Sequence, residues 1–171
     1  MSLHNIRQWE PVVAPLQNKP GDRSAKALRA VVDQFDVKTN PRYARTDTST
    51  FCNIFAWDVT RALHAEIPHW LDNPRRELNC NATLEWLESV GESAGWRAVD
   101  ERTAAHRADL GEPCVAIWRN PNPRKSGHIA VLIPSGGKGV RIAQAGARNL
   151  VDVTLALGFG RVSPIRFFAH R

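Results

Sequence analysis

The chain has 171 residues, 43% of them apolar, with 23 basic against 17 acidic residues and a formal net charge of +6. That length fits one domain with a core of its own, and no apolar run approaches the roughly 20 residues of a membrane helix. The basic balance favours polyanionic partners, among them nucleic acid, an anionic membrane face and the bacterial wall.

Residues 1–17 lack the basic start, apolar core and small-residue cleavage site of a secretory signal, so none is expected. Residues 1–20, with prolines at 11, 15 and 20, read as an irregular arm, and 21–171 as a single domain. After Gly21-Asp22, a helix is predicted from Ala25, Leu28, Val31, Val32 and Phe35 at helical spacing. Residues 36–50 are polar and carry the turn signal Asn40-Pro41, so they read as a loop. Residues 51–64 read as the central helix, with Ser49 or Thr50 as cap and an apolar stripe of Cys52, Phe55, Ala56, Val59, Ala62 and Leu63. Pro68 ends it. Further helices are predicted over 81–94 and, from an Asp100 cap, through Leu110, where Gly111 stops the chain.

Beyond Gly111 the texture changes to short β runs at 114–118, 128–133, 140–145 and 165–169. Helices first and an antiparallel sheet after them make an α+β pattern.

Three cysteines are present, Cys52, Cys80 and Cys114. The odd count argues against a full disulfide framework, and no C-x-x-C pair suggests a zinc ribbon or a thioredoxin-type site. No metal or cofactor is expected. Cys52 falls in the first turn of the central helix, where unpaired N–H groups and the helix dipole favour thiolate. Position alone does not separate that reading from a small buried hydrophobe.

A nucleophilic thiol requires a base. His64 lies twelve residues along the same helix, about 18 Å away at 1.5 Å per residue. His4 and His170 lie near the termini, His69 follows a helix-ending proline, and His106 sits in a charged stretch. His128 differs, because it opens an apolar β run directly after Gly127 and a polar loop. A hairpin with the loop Ser135-Gly136-Gly137 would set Leu132 opposite Val140 and His128 opposite Gln144. Gln144 would then orient the imidazole, the third role of a triad. A one-residue slip would turn it to the other face.

Residues 50–57 (Thr-Phe-Cys-Asn-Ile-Phe-Ala-Trp), 126–132 (Ser-Gly-His-Ile-Ala-Val-Leu) and 141–146 (Arg-Ile-Ala-Gln-Ala-Gly) together resemble the papain-like peptidoglycan hydrolases. These are the NlpC-type endopeptidases and the cysteine, histidine-dependent amidohydrolase/peptidases. The chain departs from the pattern at Phe51, where many members carry an acid, and at Gln144, where His, Asn or Glu is common. The resemblance implies a papain-like fold, with N-terminal helices packed on a C-terminal antiparallel sheet. It implies cleavage of an amide in peptidoglycan through a Cys52 acyl-enzyme, with His128 as base and Gln144 third. The oxyanion would be held by the Cys52 N–H and a nearby donor, with Asn53, Tyr43 and Asn40 as candidates.

With no secretory signal expected, this reading implies a cytoplasmic product that reaches the periplasm or wall by lysis or specialised secretion, as a phage-type lysin or an antibacterial toxin. A toxin implies a cognate immunity protein plugging the Cys52 cleft. Two other classes stand beside it: a cysteine deamidase or transglutaminase-like toxin on the same scaffold, and a basic binding module. Against the last, the chain has no helix-turn-helix signature, glycine-rich phosphate loop or aromatic–basic interleaving, so nucleic acid is not an expected partner.

Overall fold

A computed structural model describes residues 2–73 and 75–171; residue 1 of the expected arm lies outside them. Residues 2–20 contain no helix or strand, yet Val12, Ala14 and Asn18 are buried. The arm therefore lies against the rest of the chain.

Helix α1 (Ala25–Asp33) starts at Ser24, whose hydroxyl accepts from Ala27 N–H, and buries Leu28, Val31 and Val32. The loop after it holds a short 3₁₀ turn, Pro41–Tyr43, capped by Asn40. Helix α2 (Cys52–Ala62) follows. The helix expected over 81–94 divides into α3 (Cys80–Ser89), capped by Asn79, and a 3₁₀ turn, Gly91–Ala94. Helix α4 (Glu101–Asp109) begins at the predicted Asp100 cap and ends before Gly111, whose φ of +86° only glycine adopts freely. Helix α5 (Leu155–Phe159) was not predicted. Among the described residues, no helix is long and apolar enough to cross a membrane.

The described residues also hold eight strands: β1 (Trp70–Asp72), β2 (Arg75–Glu77), β3 (Trp96–Val99), β4 (Cys114–Trp118), β5 (His128–Ile133), β6 (Arg141–Gln144), β7 (Leu150–Thr154) and β8 (Ile165–His170). β1 and β2 form a small hairpin. The other six make one sheet in the order β3-β8-β4-β5-β6-β7, with every neighbouring pair antiparallel. The chain is thus a mixed helix and strand protein with an antiparallel sheet, as its α+β pattern predicts. β4 and β5 are the apolar runs read from the sequence, and they lie side by side in the middle of the sheet, almost wholly buried. α2 runs beside β5, and α4 beside β4, β5 and β8.

The β5–β6 hairpin corrects the expected register. Leu132 pairs with Ile142 and Ile133 with Arg141, so Leu132 is two residues away from the expected partner Val140. The connection spans 134–140 instead of a three-residue loop. Asp109 on α4 shapes it, accepting from the N–H groups of Ser135 (2.5 Å), Gly136 (3.0 Å) and Gly137 (2.9 Å). A slip of two preserves the face on which each side chain points, so Gln144 stays on the side of His128.

A buried ion pair fastens the arm to α2. Arg42 Nε lies 2.6 Å and its second terminal nitrogen 3.1 Å from the Asp58 carboxylate, with both side chains at 0% exposure. The same guanidinium donates to the carbonyls of Asn5, Arg7 and Glu10.

Candidate active site

The central helix brings Cys52 to a cleft. α2 is buried on nearly every side, with Cys52, residues 54–60 and Ala62 all shielded from solvent. Its start is unusual within the chain. Ser24, Asn79, Asp100 and Thr154 each cap their own helix with a side-chain oxygen. The residue preceding Cys52 is Phe51, which offers no such bond. The predicted Ser49 or Thr50 cap is therefore corrected. An apolar residue at that position leaves the first-turn N–H groups without a side-chain acceptor, and the positive end of the helix faces the thiol.

His128 comes to the thiol from β5. Gly127 precedes it because a Cβ there would collide with the Trp118 carbonyl and lie 2.9 Å from Asn81 Oδ1. Asn81 on α3 in turn holds the preceding loop, accepting from Asn120 N–H at 2.9 Å and donating to the Lys125 carbonyl at 3.2 Å. His128 Nε2 stands 2.8 Å from Gln144 Oε1. The Gln144 amide nitrogen donates to the Arg148 carbonyl at 3.4 Å, which turns the amide oxygen towards the ring. Because the amide oxygen can only accept, its contact with the ring favours a proton on His128 Nε2 and leaves Nδ1 as the nitrogen free to act on Cys52, whose thiol the imidazole lowers.

Electrostatics follow from this contact. Cys52 is held well below the ordinary thiol range, first by a hydrogen bond from the Cys80 thiol, then against the cost of burial by His128 and the Ile129 N–H. Burial pulls His128 down, but the Cys52 thiolate beside it outweighs that and raises it. Both directions favour thiolate at Cys52 and imidazolium at His128. The ring of Phe159 packs edge-on against His128, with centroids 4.8 Å apart.

Cys52 opens on a cleft of about 620 Å³, walled by Gln8 and Trp9 of the arm, residues 48–51, Asn53, His69 and Trp70, Glu77, Asn79 and Ser126. Trp9 and Trp70 are 68% and 42% exposed. His128 and Gln144 line a second cavity of about 350 Å³ with Trp118, Arg148, Leu157 and Phe159. Cys52 and His128 thus face two separate openings.

The other candidate residues fall differently. Asn53 lines the cleft, but its amide N–H groups lie 3.2 Å from the Leu78 carbonyl and 3.3 Å from Glu77 Oε1. Asn40 and Tyr43 lie elsewhere, a correction to their candidacy as oxyanion donors. Asn40 is buried under the 3₁₀ turn and bonds the carbonyls of Leu3 and Phe35. Tyr43 is fully buried and donates to Asp58 at 2.8 Å. Both are consumed by core hydrogen bonds. His69 lines the cleft, buried against Trp57 with centroids 5.2 Å apart, and burial holds it below the usual histidine range. Among the described residues, no group of His, Cys, Asp or Glu could hold a metal ion.

Four contributors escaped the sequence reading: Cys80, Phe159, Gly146 and Gly158. A Cβ at Gly146 would stand 3.2 Å from His128 Cε1. One at Gly158 would collide with Ile142 and come within 2.5 Å of Gln144 Oε1. Gly158→Ala should therefore push Gln144 off the imidazole, costing about 1–3 kcal/mol of stability and about tenfold in any turnover that uses Cys52. Denaturant melts and rates measured together check it; unchanged turnover would show that Gln144 does not orient the ring.

No protein-family model matches the chain, and no curated protein matches it significantly.

Proposed function

We propose that the chain is a cysteine amide hydrolase of papain-like architecture, its helices laid on the antiparallel sheet, and that it cleaves an amide bond of peptidoglycan. One observation carries the chemistry: the Cys52 thiol, at a helix start without a side-chain cap and on an open cleft, is lowered by an imidazole whose Nε2 is bonded to Gln144. The motifs around Cys52, His128 and Gln144 point to the wall as substrate, and the basic charge suits an anionic polymer.

In this mechanism the Cys52 thiolate attacks the carbonyl carbon. The oxyanion forms beside the first-turn N–H groups of α2. His128 gives its proton to the leaving amine as the C–N bond breaks, leaving a thioester. Water then attacks, His128 takes its proton, and the acid and the free thiolate are released. The exposed rings of Trp9 and Trp70 offer flat apolar walls for the saccharide or stem beside the reacting bond. Such a hydrolase would reach walls through lysis or a dedicated secretion route, and an immunity protein would block it by filling the Cys52 cleft.

The test is digestion of purified peptidoglycan by wild type and Cys52→Ala, with the released ends identified by mass spectrometry. New amine and carboxyl ends in wild type alone support the proposal. Equal release, or none in either, overturns it, as does side-chain deamidation without cleavage.

A further inference from the structure

The hydrolysis steps use one thiol, yet a second one touches it. Cys80 Sγ stands 3.2 Å from Cys52 Sγ, and both cysteines are free. Each is the first residue of its helix, Cys52 of α2 and Cys80 of α3, so two helix starts converge on one pair of sulfurs. The Cys80 N–H is held by Ser126 Oγ at 3.2 Å, which ties the start of α3 to the loop leading into His128.

We propose that Cys52 and Cys80 form a reversible redox site, with Cys80 as the resolving thiol for an oxidised Cys52. Access sets the order of events. Cys52, though only 4% exposed, lines the open cleft, whereas Cys80, 1% exposed, lines no part of it. A hydroperoxide therefore meets Cys52 first. The Cys52 thiolate takes the distal oxygen, the O–O bond breaks, and the departing alkoxide or hydroxide takes a proton from His128. The product is Cys52 sulfenic acid. The Cys80 sulfur then attacks the Cys52 sulfur, the S–O bond breaks, and the hydroxyl leaves as water with the Cys80 proton. Two thiols have lost two electrons, and the peroxide has gained them. A disulfide spans about 2.05 Å, so the sulfurs close by roughly 1 Å, the scale of a side-chain adjustment. A dithiol reverses the bond by exchange. Disulfide formation removes the nucleophile while protecting it from irreversible sulfinic acid.

Cys114 is the internal control. It opens β4, is fully buried, and burial first of all pushes its thiol up to about 12.

The experiment treats the full chain with a small excess of hydrogen peroxide, then alkylates it unfolded and maps the peptides. The expected result is a linked Cys52–Cys80 peptide pair, alkylation at Cys114 alone, and recovery of all three free thiols with dithiothreitol. In Cys80→Ser and Cys80→Ala, the same dose should carry Cys52 to sulfinic acid that dithiothreitol does not reverse. Wild-type Cys52 found as sulfinic acid beside a free Cys80 overturns the proposal. So does equal resistance of Cys52 in both Cys80 variants. The wild-type map decides even where a variant fails to fold. Because it reads thiols and not turnover, its outcome is separate from the choice of substrate.

Discussion

His128→Ala should slow the proposed amide hydrolysis by about 10²–10⁴-fold, the usual contribution of a positioned acid–base group, while leaving the protein folded. The ring is half-buried at the mouth of β5 and lies against Cys52, Gln144 and Phe159, so truncation removes the side-chain hydrogen bond to Gln144 and one edge contact with an aromatic ring, but no backbone hydrogen bond. A second readout tests the ion pair itself. Cys52 is depressed below the ordinary thiol range, so its alkylation by iodoacetamide should persist as pH falls well below that range and fade only when the thiolate takes up a proton. His128 is raised, so the imidazolium should survive above the usual histidine range. The active window therefore lies between these two displaced limits. Without His128, the Cys80 hydrogen bond, the largest single influence lowering Cys52, and the Ile129 N–H remain. The half-point of alkylation should therefore move upward without reaching that of a free cysteine. An alkylation profile unchanged in His128→Ala would mean that the imidazole does not act on the thiol.

Asp58→Ala should destabilise the fold by about 3–5 kcal/mol, the cost of stranding a buried charge. Arg42 and Asp58 are both sealed from solvent, and the variant leaves the guanidinium without its counter-charge. Tyr43 also loses the acceptor of its hydroxyl. For a chain of this size that corresponds to a fall in Tm of about 6–20 °C. Because Arg42 holds three carbonyls of the arm, loss of the pair should also expose residues 2–20 to limited proteolysis before global unfolding. Tyr43→Phe removes one hydrogen bond and should cost about 1 kcal/mol. A cost below about 1 kcal/mol for Asp58→Ala would show that the arm and α2 are held chiefly by their apolar contacts.

Local chemistry was legible along the chain. Apolar spacing, the Asp100 cap and the Gly111 stop marked the helices, and the apolar runs at 114–118 and 128–133 match β4 and β5, because central strands of a sheet are shielded on both faces. Weaker elements were not legible. β1 and β2 are short and largely exposed, with charged residues at four of their six positions. β7 is an edge strand with an irregular register and Asp152 at φ +58°. α5 is five residues long, too short for a period to show.

Apolar periodicity along the chain placed a helix over 51–64 with Cys52 in its first turn, and the apolar run after a polar, turn-rich loop placed a strand opening at His128. The sequence by itself also put Gln144 on the His128 face, because a two-residue error in register leaves parity intact. Tertiary structure alone decided that Cys80 meets Cys52 and that Asn40 and Tyr43 serve the core. It also decided that Phe51 stands where a capping side chain was expected. Those outcomes depend on which surfaces pack together across long stretches of chain, and no local propensity encodes them.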